Sequence, residues 1–137
     1  MNTTHHTGSC LCGKVRYDVS GEFQSFFLCH CDHCRKDTGS AQAANLFSTT
    51  AQINWLSGFD NVRTFVLPAT RHARSFCVNC GSALPTAQRK GPLLVVPAGS
   101  LDSSPGMRPT AHIFCASKAD WDAGLEDIPE FEKFPSG

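Results

Sequence analysis

Cys10-Leu11-Cys12-Gly13-Lys14-Val15-Arg16-Tyr17-Asp18-Val19 is the stretch that decides the fold. Its first part is a pair of thiols one residue apart, followed at once by a glycine. Its second part alternates apolar Val15, Tyr17 and Val19 with polar Lys14, Arg16 and Asp18. That period of two is the mark of a strand with one buried face. A thiol pair on a tight turn that runs straight into a half-buried strand predicts a β domain whose loops are held by metal.

Two further cysteine clusters support this reading. Cys77-Val78-Asn79-Cys80-Gly81 repeats the pattern of a thiol pair closed by glycine, and Cys29-His30-Cys31-Asp32-His33-Cys34 places three thiols within six residues. Clustered thiols at one- and two-residue spacing chelate soft metals, zinc above all. Disulfides fit poorly, because pairs this close in sequence can hardly form unstrained bridges within themselves. A redox Cys-x-x-Cys pair is the remaining alternative. Seven clustered thiols cannot fill two four-coordinate sites, so either a different ligand completes one site or one ion keeps an open position.

Cys10, Cys12, Cys77 and Cys80 are expected to form one closed, structural Cys₄ site. A glycine after each pair suits a knuckle whose next residue takes positive φ and whose N–H groups aim at sulfur. A structural zinc in a small domain contributes on the order of 10 kcal/mol to folding. Cys29, Cys31 and Cys34 are then left as the working triad, with Cys34 in the first turn of a helix over residues 32–38 that opens on Asp32 and stops before Gly39. Water, a substrate thiolate, His30, His33 or Cys115 are the candidate fourth ligands, and a second closed structural site is the competing reading of the triad. Alternation points His30 away from Cys29 and Cys31, towards a supporting role. Arg35, Lys36, Arg71 and Arg74 offer charge for the thiolates or for a substrate carboxylate, or else form a solvated loop. Cys115, in the apolar run 111–115, reads as a core residue, and His112 beside it as a hydrogen-bonded histidine.

At 137 residues, with 41% hydrophobic residues, the chain suffices for one domain with a core, spanning 1–137 with residues 1–7 as a flexible tail. Further strands are expected at 25–29, 43–47, 62–67 (ended by Pro68), 73–77, 93–97 and 111–115, which makes the fold mostly β. The aromatics of the final segment, Phe131 and Phe134, are expected to pack on the body as an extended arm. Formal net charge is zero, so no basic surplus points to nucleic acid. No apolar run reaches the ~20 residues of a membrane span. Residues 1–9 lack the apolar core of a secretory leader, so a reducing cytoplasm is the expected location. A monomer or a homodimer is compatible with a chain of this kind.

The order of these motifs resembles the glutathione-dependent formaldehyde-activating enzymes, a family that includes the domain of centromere protein V. The segments that carry the resemblance are Gly8-Ser9-Cys10-Leu11-Cys12-Gly13, the run from Cys29 to Gly39, Phe76-Cys77-Val78-Asn79-Cys80-Gly81, Ser100-Leu101-Asp102, His112-Ile113-Phe114, Trp121 and Pro129-Glu130-Phe131. The resemblance implies an Mss4-like fold of several coiled antiparallel sheets with a zinc-ribbon-like structural site. It implies two Zn²⁺ ions, one structural on Cys10, Cys12, Cys77 and Cys80, and one catalytic on Cys29, Cys31 and Cys34. It also implies a carbon–sulfur lyase whose type reaction joins formaldehyde to glutathione, with a small thiol and an aldehyde as partners. The alternatives are a zinc-stabilised binding module and a metal or redox sensor, neither with turnover.

Overall fold

In the first strand pair, β1 (His5–Ser9) and β2 (Arg16–Ser20) are antiparallel and are joined by the Cys10–Val15 turn. The computed structural model describes residues 4–88 and 90–135. The turn closes on itself, with the Cys10 N–H donating to the Val15 carbonyl and the Gly13 N–H to the Cys10 carbonyl, each at 3.0 Å. Gly13 sits at φ 81, in the left-handed region where a side chain is costly. β5 (Gln52–Ser57) pairs with the other edge of β2, giving a first sheet in the order β1-β2-β5. The alternation read from the sequence is the one observed. Val15, Tyr17 and Val19 are fully buried, while Arg16 is exposed.

The second sheet has the order β11-β3-β4-β10-β9. It is built from β3 (Ser25–Cys29), β4 (Ala43–Ser48), β9 (Thr86–Ala87), β10 (Leu94–Pro97) and β11 (Ala111–Ile113). Its pairs are antiparallel except β11 with β3, which is parallel, with Ile113 opposite Cys29. Helix α1 (Asp32–Thr38) fills the connection from β3 to β4 and covers the span expected from the sequence. Gly39 ends it at φ 62, its N–H donating to the Arg35 carbonyl. The third sheet is β6 (Val62–Val66), β7 (Ala73–Cys77) and β8 (Ala83–Leu84), all antiparallel. Its β7–β8 turn repeats the first knuckle. Gly81, at φ 77, donates to the Cys77 carbonyl at 2.7 Å, and the Cys77 N–H donates to the Ser82 carbonyl.

The core joins Val15, Tyr17, Val19, Phe26, Leu46, Leu84, Leu94 and Val96 with two cysteines, Cys10 and Cys77. A separate small cluster holds Cys29, Cys34 and Ala43, with Cys31 and Ile113 packed on it. The chain therefore has a mostly β fold of several antiparallel sheets, as expected.

Three local expectations are corrected. Residues 5–7 of the expected tail belong to β1, with His6 buried against the Phe23 ring; residues 1–3 of that tail lie outside the described residues. The strand escaped a hydrophobic reading because its inward positions are His6 and Gly8, and the Tyr17 ring occupies the space over Gly8. Cys115 is exposed in a short 3₁₀ turn, Cys115–Ser117, instead of in a core strand. Phe114 breaks β11 by adopting left-handed φ 57. The closing aromatics do not pack on the body: Phe131 and Phe134 are 61% and 83% exposed.

Two measurements test this packing. A Cβ on Gly8 would fall inside the buried Tyr17 ring, so Gly8→Ala is expected to cost about 1–3 kcal/mol in urea unfolding. Burial pushes the Tyr17 hydroxyl, which is hydrogen-bonded to Ser100, up to about 12. The folded value lies above the unfolded one of about 10. Its contribution to stability is therefore complete below pH 10 and is lost as pH rises through 12. Tyr17 is the only tyrosine, so tyrosinate absorbance reads it alone, and native protein is expected to titrate about two pH units above unfolded protein.

Candidate metal centres

The two knuckles meet. The Sγ atoms of Cys10, Cys12, Cys77 and Cys80 all lie within 4.8 Å of one another. Cys10 and Cys12 are 3.5 Å apart, and Cys12 and Cys77 3.9 Å. A tetrahedral ion with Zn–S bonds of 2.3 Å separates its sulfurs by about 3.8 Å, so these spacings fit such an ion. A disulfide would need about 2.05 Å, and all eight cysteines are free.

Hydrogen bonds hold the sulfurs in place. The Val15 N–H donates to Cys10 Sγ at 3.3 Å. Ser82 bridges the knuckles: its hydroxyl lies 3.3 Å from Cys80 Sγ and accepts the Leu11 N–H at 2.8 Å. Ser82 side-chain and backbone hydrogen bonds pull the Cys80 thiol down to about 5, and the Asn79 side chain lowers Cys12. Burial raises Cys77. The outer members of the donor set, Cys12 and Cys80, are thus shifted towards the thiolate, and the buried Cys77 is shifted away from it.

The second group is the triad. Cys29 ends β3, Cys31 caps α1 and Cys34 lies in its first turn, and their Sγ atoms also lie within 4.8 Å of one another. The cap is specific, with the Cys34 N–H donating to Cys31 Sγ at 3.3 Å. Burial raises Cys29 and Cys34. Burial also acts to raise Cys31, but hydrogen bonds led by the Cys34 N–H leave it lowered. Among the described residues, no histidine, carboxylate or eighth cysteine joins this group.

The chain's own candidates for a fourth ligand are engaged elsewhere or exposed. His30 is fully buried, with Nε2 2.8 Å from His112 Nδ1 and Nδ1 3.5 Å from Asp122. Side chains alternate across a strand pair, so His30 and His112 lie on the face opposite Cys29 and Ile113. His30 therefore stands behind the triad, as its alternation implied. The His33 ring packs on His72 at 5.2 Å, and Cys115 is exposed.

The basic residues near the clusters divide. Arg35 donates to the Ser117 carbonyl at 3.0 Å, tying α1 to the segment after β11. Arg74 donates to the Asp37 and Gly81 carbonyls, linking α1 to the second knuckle. These two are structural ties, whereas Lys36 and Arg71 face solvent. Sequence reasoning missed Ser82, Asn79, Asp37 and Asp122. Ser82 and Asn79 had a signal, their place inside or next to the knuckle. Asp37 and Asp122 had none, because their partners, His72 at 2.6 Å and His30, are distant in sequence.

The chain is similar to known proteins. The model of the family described as glutathione-dependent formaldehyde-activating enzyme matches residues 5–117. A Halomonas elongata protein, provisionally named glutathione-dependent formaldehyde-activating enzyme, is 33% identical over 124 residues, covering 83% of this chain and 77% of that protein. A crystal structure of a Rhodobacter sphaeroides protein shares the fold, with a TM-score of 0.52 at 21% identity over 77% of this chain and 98% of that one. On the family match and the Halomonas relative together, the chain belongs to the glutathione-dependent formaldehyde-activating enzyme family.

Proposed function

We propose that the chain binds two zinc ions and acts as a carbon–sulfur lyase on the adduct of glutathione with formaldehyde or a related small aldehyde. Cys10, Cys12, Cys77 and Cys80 would hold the structural ion, and Cys29, Cys31 and Cys34 the catalytic one. The donor chemistry supports zinc, since all-thiolate sets select soft ions and the chain supplies seven grouped thiols. The observation that carries the reading is the unequal count, four sulfurs in one group and three in the other. A closed Cys₄ site has no room for substrate, whereas a three-thiolate site has one.

Zinc bound at the triad would supply an electrophilic anchor that keeps a substrate thiol in its thiolate form beside the aldehyde. The protein's part is positional. The end of β3 fixes Cys29, and the capped first turn of α1 fixes Cys31 and Cys34, so three sulfurs converge without strain on one point. His30, hydrogen-bonded to His112 and with Asp122 3.5 Å from its Nδ1, steadies the turn between Cys29 and Cys31 from behind. Ile113 and Ala43 give the triad an apolar side that limits water. In the reaction the thiol sulfur forms a bond to the aldehyde carbon, the carbonyl π pair moves to oxygen, and that oxygen takes up the proton the thiol gave up. The reverse direction releases both partners, and no oxidant or reductant is needed. Eight free thiols suit a reducing compartment, so we place the protein in the cytoplasm.

NMR exchange spectroscopy of glutathione, formaldehyde and their adduct tests the activity. Zinc-loaded protein is expected to accelerate the exchange, and Cys31→Ser to abolish the acceleration; unchanged exchange with the zinc-loaded protein would overturn the proposed reaction. The two sites are also expected to differ in stability. Cys80→Ser should cost several kcal/mol and leave much of the chain unfolded at 37 °C. Cys31→Ser should shift Tm by only a few degrees, a split read by circular dichroism melting with zinc present.

A further inference from the structure

The segment after Gly124 is an apolar arm without a seat. Asp122 lies against His30 and Ala119 is buried, so the chain is anchored up to that point. Beyond it, Leu125, Ile128, Phe131 and Phe134 are all exposed. Among the described residues, the backbone N–H groups of 125–135 donate only in local turns, Asp127 to Gly124 and Ile128 to Leu125. Apolar side chains gain free energy by leaving water, so four large ones on one strip of ten residues indicate a missing partner.

The arm is also acidic. Residues 125–135 hold four acidic side chains against one lysine, while the rest of this neutral chain holds eleven basic against eight acidic. Glu126, Asp127, Glu130 and Glu132 alternate with the apolar positions of the arm.

A complementary surface lies on the body. A cavity of about 360 Å³ between α1 and the β6–β7 hairpin is lined by His33, Lys36, Phe65, Leu67, His72 and Arg74. Its apolar floor comes from Phe65, itself more than half exposed, and Leu67. Its rim carries Lys36, Arg74, His33 and His72, and the one acid in it, Asp37, lies against Arg74 and His72, which leaves Lys36 to meet an acid from outside. An apolar floor edged by Lys36 suits an arm of apolar side chains with acidic neighbours.

We propose that the protein is a homodimer in which the arm of each copy, residues 125–135, lies in the His33–Phe65–Arg74 groove of the other. The exchange is symmetric and closes on itself, so it stops at two copies. Each arm brings two Phe at on the order of 150 Å² each, besides Leu125 and Ile128. Two such arms and the grooves that receive them reach the roughly 1,000 Å² that a specific interface needs. Beyond its 3₁₀ turn at Leu125–Asp127 the arm, once drawn out at about 3.3 Å per residue, spans to a neighbour. Acid–base pairing along the rim sets its register. This assembly does not depend on the zinc reading or on the reaction.

Sedimentation equilibrium of the full-length chain as purified tests it. The wild type is expected to be a dimer. Phe131→Asp/Phe134→Asp in the arm and Lys36→Glu/Phe65→Asp in the groove are each expected to raise the dissociation constant at least about thirty-fold, as loss of a buried aromatic anchor does. All four positions are exposed, and a retained cooperative thermal transition confirms that each variant folds. Mixing the two variants should restore a heterodimer, because one intact arm then meets one intact groove. A wild type that stays monomeric overturns the proposal, including one whose arm folds back on its own groove. So does a dimer that both variants leave intact, or a mixture that stays monomeric.

Discussion

The close approach of two cysteine knuckles is the constraint on which the rest of the structure depends. The β1–β2 turn and the β7–β8 turn belong to different sheets, yet their four sulfurs converge within 4.8 Å. Cys10 and Cys77 lie in the same buried cluster as Tyr17, Leu46 and Val96. The convergence is therefore part of the core and not an attachment to it. Ser82 ties the knuckles by taking the Leu11 N–H while lying against Cys80 Sγ. Two lowered thiols, Cys12 and Cys80, stand within 4.8 Å of each other there, in a four-sulfur group that could hold a metal ion.

From that point the triad is placed by short, rigid connections. Arg74 runs from the β7 strand to both the Asp37 and Gly81 carbonyls, so α1 is fixed relative to the second knuckle. α1 in turn presents Cys31 and Cys34 against Cys29 at the end of β3. Behind this turn, on the far face of the sheet, His30 is held by His112 and Asp122. Arg35 and Ser117 close the same region, with Ser117 also donating to the His30 carbonyl at 2.9 Å. The four-sulfur group thus organises the domain. The three-sulfur group sits on one helix and one strand, where a ligand from outside can complete it.

Much of this was legible in the residues. The period-two run Val15–Tyr17–Val19 and the Asp32-to-Gly39 helix signal produced β2 and α1 directly, because each sets its own hydrogen bonds locally. The glycines at 13 and 81 marked both knuckles, and the count of thiols divided the clusters as the sulfurs are divided. What stayed hidden depends on distant partners. β1 carries no hydrophobic alternation, since a tyrosine from the neighbouring strand fills the space over Gly8. The apolar run at 111–115 read as one strand, but a left-handed Phe114 turns Cys115 outward. The closing aromatics were expected to pack on the body as an extended arm, and their exposure follows from where the chain leaves the sheet, which no local pattern encodes.

The division of seven sulfurs into four and three is the central claim, and zinc X-ray absorption combined with metal analysis of the purified protein tests it most directly. The account predicts two zinc ions per chain sharing seven sulfur ligands, with a light-atom ligand, oxygen or nitrogen, completing the coordination. Replacing Cys31 should remove one zinc and leave the other in a pure four-sulfur shell. One zinc per chain in the wild-type protein would contradict the account, as would two ions with four sulfurs each.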